Sequence, residues 1–569
     1  MDTILKYSVP DQKSVEHLTR GLNCHPLLAR LLLARGIESI KKARFFLNPD
    51  FENLTDPFLL KGMNKAVVRI LTAVKNKEKI LVFGDFDADG VTSTAVITEF
   101  LEYCDADVSW YIPHRIKEGY SLHPDHIQMA LDRDIDLIIT VDCGITSHEA
   151  VKKASLEDID VIITDHHEPS ATLPCAVAVV DPKQEGCKSG LSFLAGVGVV
   201  FFLVMALRKF FREQGFWGNI KEPNLMEYLD LFAIGTIGDM APLTNENRVF
   251  CISGLKRIRQ GTRLGLKSLA EISRVDFKKI DSDDISFKIV PRINAAGRIS
   301  HARICVSHLM AKDIVSTEKT ASLLNRLNVK RQEIEQEIVL DIEQKLQKKP
   351  VLLNKKLLML WDDQWNPSVL GIVASKLSRK YYCPVILLAG KGEDAIGSGR
   401  SINNINIYKA LVENESLLVK FGGHAMAAGL TVKKNNLPEL RQNLNRHMKE
   451  SYCEKDFKKS MIIDAVLDFE DINFNLARQL DWLRPFGAGN PEPVFICKHI
   501  RVASSYVIGN SHRKMVLEKA DSISRHRVEA FHFNIKDPDK EPSYYPQIAF
   551  KLKINKFKTE AARIIIENH

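Results

Sequence analysis

No two of the ten cysteines, scattered from Cys24 to Cys497, form a Cys-x-x-Cys pair. That removes the common structural zinc site and a disulfide framework. The opening residues, Met1-Asp2-Thr3-Ile4-Leu5-Lys6, lack the basic stretch and apolar core of a secretory signal. A reducing cytoplasm is therefore the expected location. Long apolar runs are also missing. The stretch from Leu191 to Leu207 is at the short end of what crosses a bilayer, and Ser192, Gly196 and Gly198 interrupt it. It reads as a buried helix under a sheet, so no membrane partner is expected. Neither an internal repeat nor a low-complexity segment is present, which excludes repeat architectures and disordered tracts.

What is present is the make-up of an ordinary globular protein: 45% hydrophobic and 26% charged residues. At 569 residues the chain is too long for one core, so several domains are expected. The net charge of +8 is uneven. From Lys498 to His569 there are 14 Lys and Arg against 8 Asp and Glu. A basic tail favours a polyanionic partner, although many charge runs are only solvated faces.

Three apolar runs end in acidic or imidazole side chains. Lys79-Ile80-Leu81-Val82-Phe83 leads into Gly84-Asp85-Phe86-Asp87-Ala88-Asp89-Gly90. Leu137 to Val141 leads into Asp142-Cys143-Gly144, and Val161 to Thr164 into Asp165-His166-His167. Short β-branched runs of this kind look like buried parallel strands. Ligands of an open α/β sheet sit beyond the carboxyl ends of its strands, so the three clusters are expected to share a crevice. Crowded carboxylates repel unless a cation lies between them. A metal site is the reading, and a binuclear one is expected. Taken alone, Asp85 and Asp87 also fit a turn, Asp142 a helix N-cap and the histidines a surface loop. Asp239 adds a fourth acid, at an apolar, glycine-spaced turn.

The expected fold is α/β and multidomain. A helical segment (1–48) precedes a doubly wound parallel-sheet domain (49–305), in which helix Val91 to Tyr103 follows the first acidic loop and Pro291 to Ser300 forms a loop. A connector helix (306–350, helical from about 311) leads to a smaller α/β domain (351–455) with strands Leu357 to Trp361 and Val385 to Ala389. An OB-like β-barrel (456–569) closes the chain.

These motifs resemble, in order, the four motifs of the DHH phosphoesterase family: Asp85-Phe86-Asp87-Ala88-Asp89-Gly90, Asp142-Cys143-Gly144, Asp165-His166-His167 and Gly235-Thr236-Ile237-Gly238-Asp239. Ile293 to Arg298, Gly397 to Arg400 and Gly422-Gly423-His424 resemble that family's later motifs. Pro485 to Pro491 is similar to the start of the OB-type domain of RecJ-type single-stranded-DNA exonucleases. The resemblance implies a 5′→3′ exonuclease on single-stranded DNA, dependent on two Mn²⁺ or Mg²⁺ ions and acting in DNA repair and recombination. Its expected partners are single-stranded DNA, a single-strand-binding protein and a helicase, with the chain a monomer.

The resemblance also implies roles. Asp85 and Asp142 would hold one ion, and Asp87, Asp142, His166 and Asp239 the other. Some smaller relatives have a ligand histidine where this chain has Leu81, so weaker binding of the first ion is expected. His167, with Asp165 in the catalytic set, would face the phosphoryl oxygens. Ser398 and Arg400 on one side of a strand, with Arg115, suit a 5′-terminal phosphate. Arg298 and His424 would contact the scissile phosphate or its neighbour. Lys551, Lys553, Lys556 and Lys558 would track phosphates, while Phe531, Phe533, Tyr544, Tyr545, Phe550 and Phe557 either stack on bases or fill the barrel. Two other readings remain: a phosphodiesterase for short oligonucleotides or cyclic dinucleotides, and a non-catalytic DNA-binding protein.

Overall fold

The computed structural model describes residues 3–218, 220–390, 392–509, 511–520, 526–535, 537, 542–555 and 561–567. The first domain is built on a five-stranded, all-parallel sheet. Its order across the sheet is Asp107–Tyr111, Lys79–Gly84, Leu137–Val141, Asp160–Thr164 and Ala178–Val180. The chain reverses direction of progress between Lys79–Gly84 and Leu137–Val141, which is where a doubly wound sheet opens a crevice. Alternate residues feed two cores. Ile80, Val82, Leu137 and Ile139 face one, and Leu81, Phe83, Ile138 and Ile163 the other. Both faces being covered explains why the strands are continuously apolar.

Several local expectations need correction. The helix after the first acidic loop spans Ala88–Tyr103, because Asp87 caps it by accepting the N–H groups of Asp89 and Gly90. Residues 291–300 are not a loop. Val290–Ile299 is a helix that continues from a π-helical turn at Ile285–Ile289, and Pro291, which has no N–H to donate, follows that turn directly, where the widened hydrogen-bond pattern interrupts the regular ladder. The expected turn before Asp239 is the end of helix Leu229–Gly238. That helix is buried almost throughout, so packing outweighs the weak helix propensity of its two glycines.

The connector helix, Ile314–Lys348, starts where Asp313 accepts the N–H of Ser316. It leads to a mixed five-stranded sheet ordered Leu418–His424, Ala427–Lys433, Asp394–Arg400, Val385–Ala389, Leu358–Trp361. In the last domain, strands Phe495–Ile508, His512–Lys519, Val528–His532, Ala562–Ile566 and Tyr544–Ile554 close into a barrel through the pairing of the first with the last. The N-terminal segment does not stand apart. Ile4–Tyr7 pairs in parallel with Ser460–Ile463, and Val15, Leu18, Leu28, Leu32 and Phe46 share a core with Phe495, Leu517, Phe550 and Ile564. Among the described residues, no helix is long and apolar enough to cross a membrane.

Candidate metal centre and phosphate-binding cleft

Strand register builds the centre. Gly84 pairs with Val141, Val141 with Thr164, and Thr164 with Val180. Each of these four residues is followed by an aspartate: Asp85, Asp142, Asp165 and Asp181. Four carboxylates therefore leave the sheet side by side at its carboxyl edge, all buried. Asp142 takes a left-handed backbone conformation (φ 60°), which Asp tolerates better than most residues. Gly196 passes so close that a Cβ there would lie 2.6 Å from the Cβ and Oδ1 of Asp142.

Three groups of ligand atoms converge: Asp85, Asp87 and Asp142; Asp89, His166 and Asp239; and Asp142, His166 and His167. His166 Nε2 lies 3.1 Å from Asp142 Oδ1, and Nδ1 lies 3.9 Å from Asp239 Oδ2. The first contact is out of hydrogen-bond alignment, so Asp142 Oδ1 is left without a partner, as is Asp85 Oδ1. Burial pushes both carboxyls well above their ordinary range, and neighbouring aspartates add to the rise. Burial and the charge of Asp87 likewise push Asp239 up to about 7. Buried carboxylate oxygens with no donor, facing an imidazole nitrogen, are the coordination set of a hard divalent cation. The residues present therefore fit a pair of such ions, with Asp142 common to two of the groups. Leu81, packed in the second core, contributes nothing there.

His167 is held differently. Its Nδ1 lies 2.7 Å from Asp165 Oδ1 and 3.1 Å from the Tyr120 hydroxyl, which leaves Nε2 free on a ring 46% exposed. Burial opposes charge on this ring, but the Asp165 carboxylate outweighs it and lifts His167 to about 9. Asp165 in turn is held below its ordinary value: burial raises it, but the His167 bond and the Ile145 N–H more than offset this.

Asp89 lies within the first acidic motif, and the structure gives it a role that the motif alone does not indicate. Its two oxygens accept the N–H groups of Gly196 (2.6 Å) and Val197 (2.8 Å), anchoring helix Gly196–Glu213 under Asp142. Asn294 Oδ1 accepts the Ala88 N–H at 2.7 Å and so fixes the loop that carries Asp87. Asp181 was missed altogether, although Ala178-Val179-Val180-Asp181 repeats the apolar-run-then-acid pattern. It is fully buried, its Oδ2 has no partner, and burial pushes it up to about 7.

The other wall carries cations. Arg400 Nη1 donates to Ser398 Oγ at 2.8 Å, both at the end of strand Asp394–Arg400. A Cβ on Gly371, in the first turn of helix Leu370–Tyr381, would come within 2.8 Å of Arg400 Nη2. Arg298 Nη1 donates to the Ser368 carbonyl (2.6 Å) across the domain boundary, and Arg115 stacks over Phe86 at 4.6 Å. Burial, with the charges of Arg115 and Arg400 acting in the same direction, lowers the proton affinity of Arg298 to about 9. Arg400 is lowered by burial and by Arg115. These guanidiniums stand close enough to repel, as an anion site requires. Burial lowers the His424 ring, and the charges of Arg400, Lys183 and His167 act in the same direction.

The barrel lysines are placed otherwise than expected. Lys551 pairs with Glu567 (3.0 Å) and Glu492, and Lys553 with Glu492 (3.1 Å) and Asp283. They belong to an ion-pair cluster between barrel and first domain instead of an open phosphate track. Lys556, Lys558 and Phe557 lie outside the described residues. Phe550 is core, Phe531 and Tyr545 are half-buried, and Phe533 and Tyr544 are exposed.

Comparison with known proteins agrees with this geometry. Residues 79–236 match the DHH family N-terminal domain, 354–450 the DHHA1 domain and 463–567 the RecJ OB domain. The chain is 35% identical over 563 residues to the single-stranded-DNA-specific exonuclease RecJ of Escherichia coli, covering 95% of each chain. It is 39% identical over 517 residues to that of Bacillus subtilis, covering 90% of this chain and 64% of the relative. In structure it is similar to RecJ of Thermus thermophilus in complex with Mn²⁺ (TM-score 0.83, 28% identity, 100% of this chain and 79% of that one). The Mg²⁺ complex gives a TM-score of 0.76 at 27% identity, with 100% and 78% covered. Taken with the row of strand-end aspartates, these matches show that the chain belongs to the RecJ family of DHH phosphoesterases.

Proposed function

We propose that this chain degrades single-stranded DNA from its 5′ end, releasing 5′-mononucleotides, with two Mn²⁺ or Mg²⁺ ions held by Asp85, Asp87, Asp142, His166 and Asp239. The observation that carries this reading is the row of buried strand-end carboxylates, in which Asp85 and Asp142 each keep an oxygen that lacks any donor. The RecJ relatives, and the Mn²⁺ and Mg²⁺ complexes of the Thermus protein, support it. Bound there, two such ions supply the charge that acidifies a water and neutralises phosphoryl oxygens.

The chain's own residues do the rest. Asp165 fixes the His167 ring so that Nε2 faces the cleft, where it stabilises the phosphoryl oxygens and supplies a proton to the departing 3′ oxygen. Arg115, Ser398 and Arg400 hold the 5′-terminal phosphate. Arg298 and His424 sit at the scissile phosphate or its neighbour. Hydrolysis needs no covalent protein nucleophile. Single-stranded DNA continues toward the barrel, where exposed rings offer stacking surfaces. Lys551 and Lys553 are left out of this track because acids already neutralise them. The enzyme works as a cytoplasmic monomer in DNA repair and recombination, supplied with strands by a helicase and a single-strand-binding protein.

The test is internally labelled single-stranded DNA with Mn²⁺, blocked at one end or the other. A 5′ block stops degradation and a 3′ block does not. Degradation indifferent to the 5′ block refutes the polarity. Asp87→Ala abolishes cleavage while DNA binding survives, and turnover near the parent rate removes Asp87 from the ligand set.

A further inference from the structure

The residue after the acid Asp239 is explained by neither folding nor packing. Met240 has a left-handed backbone (φ 60°). Its N–H donates to the Ile237 carbonyl (3.2 Å) and that of Ala241 to the Thr236 carbonyl (3.1 Å). This bond pair ends helix Leu229–Gly238 at a position where glycine is the favoured residue, since any L side chain is strained there. The Met240 side chain gains nothing from burial in return, because the residue is 71% exposed. A large apolar side chain kept in a strained conformation and in water, beside a candidate metal ligand, points to a function.

Its position indicates which. Asp239 faces His166 at one end of this segment. Three residues beyond Met240, the Leu243 N–H donates to the Ala488 carbonyl (2.8 Å) in the stretch that leads into the barrel. Residues 239–243 therefore run from the metal centre to the barrel connection. On the nuclease reading, a strand held by the barrel and cut at the centre lies near them.

We propose that Met240 is a substrate-binding residue whose exposed apolar side chain forms the platform for a nucleobase beside the scissile phosphate. This rests on the nuclease reading above. The side chain has no charge with which to hold a phosphate. Its flexible, polarisable sulfur suits an aromatic face, and because every base has such a face the contact is indifferent to sequence.

The test compares the parent protein with Met240→Gly and Met240→Leu, using Mn²⁺ and 5′-phosphorylated single strands that are either intact or abasic at the first three positions. Met240→Gly is expected to melt no lower than the parent, with KM for intact strands raised roughly tenfold and kcat largely kept. On the abasic strand the two proteins become alike, and Met240→Leu recovers most of the loss. The proposal is overturned if Met240→Gly matches the parent on intact strands, loses the same factor on abasic ones, or melts lower. These outcomes leave the nuclease reading standing, whereas a parent inactive with Mn²⁺ removes both.

Discussion

Replacing Gly196 by Ala should dismantle the metal centre from beneath. The added Cβ would lie 2.6 Å from Asp142 Oδ1, where ordinary contact begins at 3.4 Å, so one of the two has to move by about 0.8 Å. Gly196 has little room to give. Its N–H is bound to Asp89 at 2.6 Å, and it begins a helix whose first turns are buried. The displacement falls on Asp142, which belongs to two of the three ligand groups. Cation–oxygen distances tolerate only about 0.2 Å, so the shift is several times what coordination allows. Changes to residues that support metal ligands typically cost about 10–100-fold in affinity, and a direct push on a shared ligand belongs at the upper end. Mn²⁺ titration by calorimetry should show that loss. Exonuclease rate plotted against Mn²⁺ should shift to higher concentration by a similar factor. Overpacking itself costs about 1–3 kcal/mol, so circular dichroism should still show a folded protein. A folded Gly196→Ala variant with parental Mn²⁺ affinity and rate would refute the argument.

Arg400→Ala should raise KM for 5′-phosphorylated strands roughly tenfold or more, and much less for 5′-hydroxyl strands; equal losses on both would move Arg400 away from the terminal phosphate. Asp89 and Asp239, pushed up to about 7 in the folded protein, stay protonated there while their unfolded counterparts ionise near pH 4. Metal-free protein should therefore lose stability as pH rises from about 4 to 7 and level off above, and the rise in Tm on adding Mn²⁺ should be larger at pH 8 than at pH 5.5; a pH-independent rise would contradict this. Arg248 is fully buried and donates to the carbonyls of Phe46, Trp482, Leu483 and Arg484. Arg248→Ala orphans these acceptors and should destabilise the junction of the N-terminal helices, first domain and barrel by at least about 3 kcal/mol, visible by calorimetry; an unchanged Tm would refute that assignment.

Much of the centre was legible because one physical rule made it so. A buried parallel strand is continuously apolar and must end where polar residues begin, so the acids at 85, 142 and 165 announced both strand ends and site. The same rule would have found Asp181, had the three-residue strand before it been long enough to stand out. What stayed hidden depends on contacts between distant segments. Gly196 was visible only as an interruption of an apolar run, and its purpose becomes clear once Asp142 lies against it. Helix Val290–Ile299 looked like a loop because its glycine and alanines carry little periodic signal, while its burial comes from other elements. Lys551 and Lys553 looked like a free basic track because their partners, Glu492, Glu567 and Asp283, stand elsewhere in the chain. The union of residues 4–46 with the barrel core is likewise a long-range outcome that no local pattern encodes.

Anomalous diffraction from crystals grown with Mn²⁺ reaches the central claim most directly. Two peaks should appear at the carboxyl edge of the parallel sheet, each within about 2.5 Å of its ligands and both touching Asp142, with Asp85 on one side and His166 and Asp239 on the other. Density for manganese elsewhere, or none within reach of these side chains, would contradict the account.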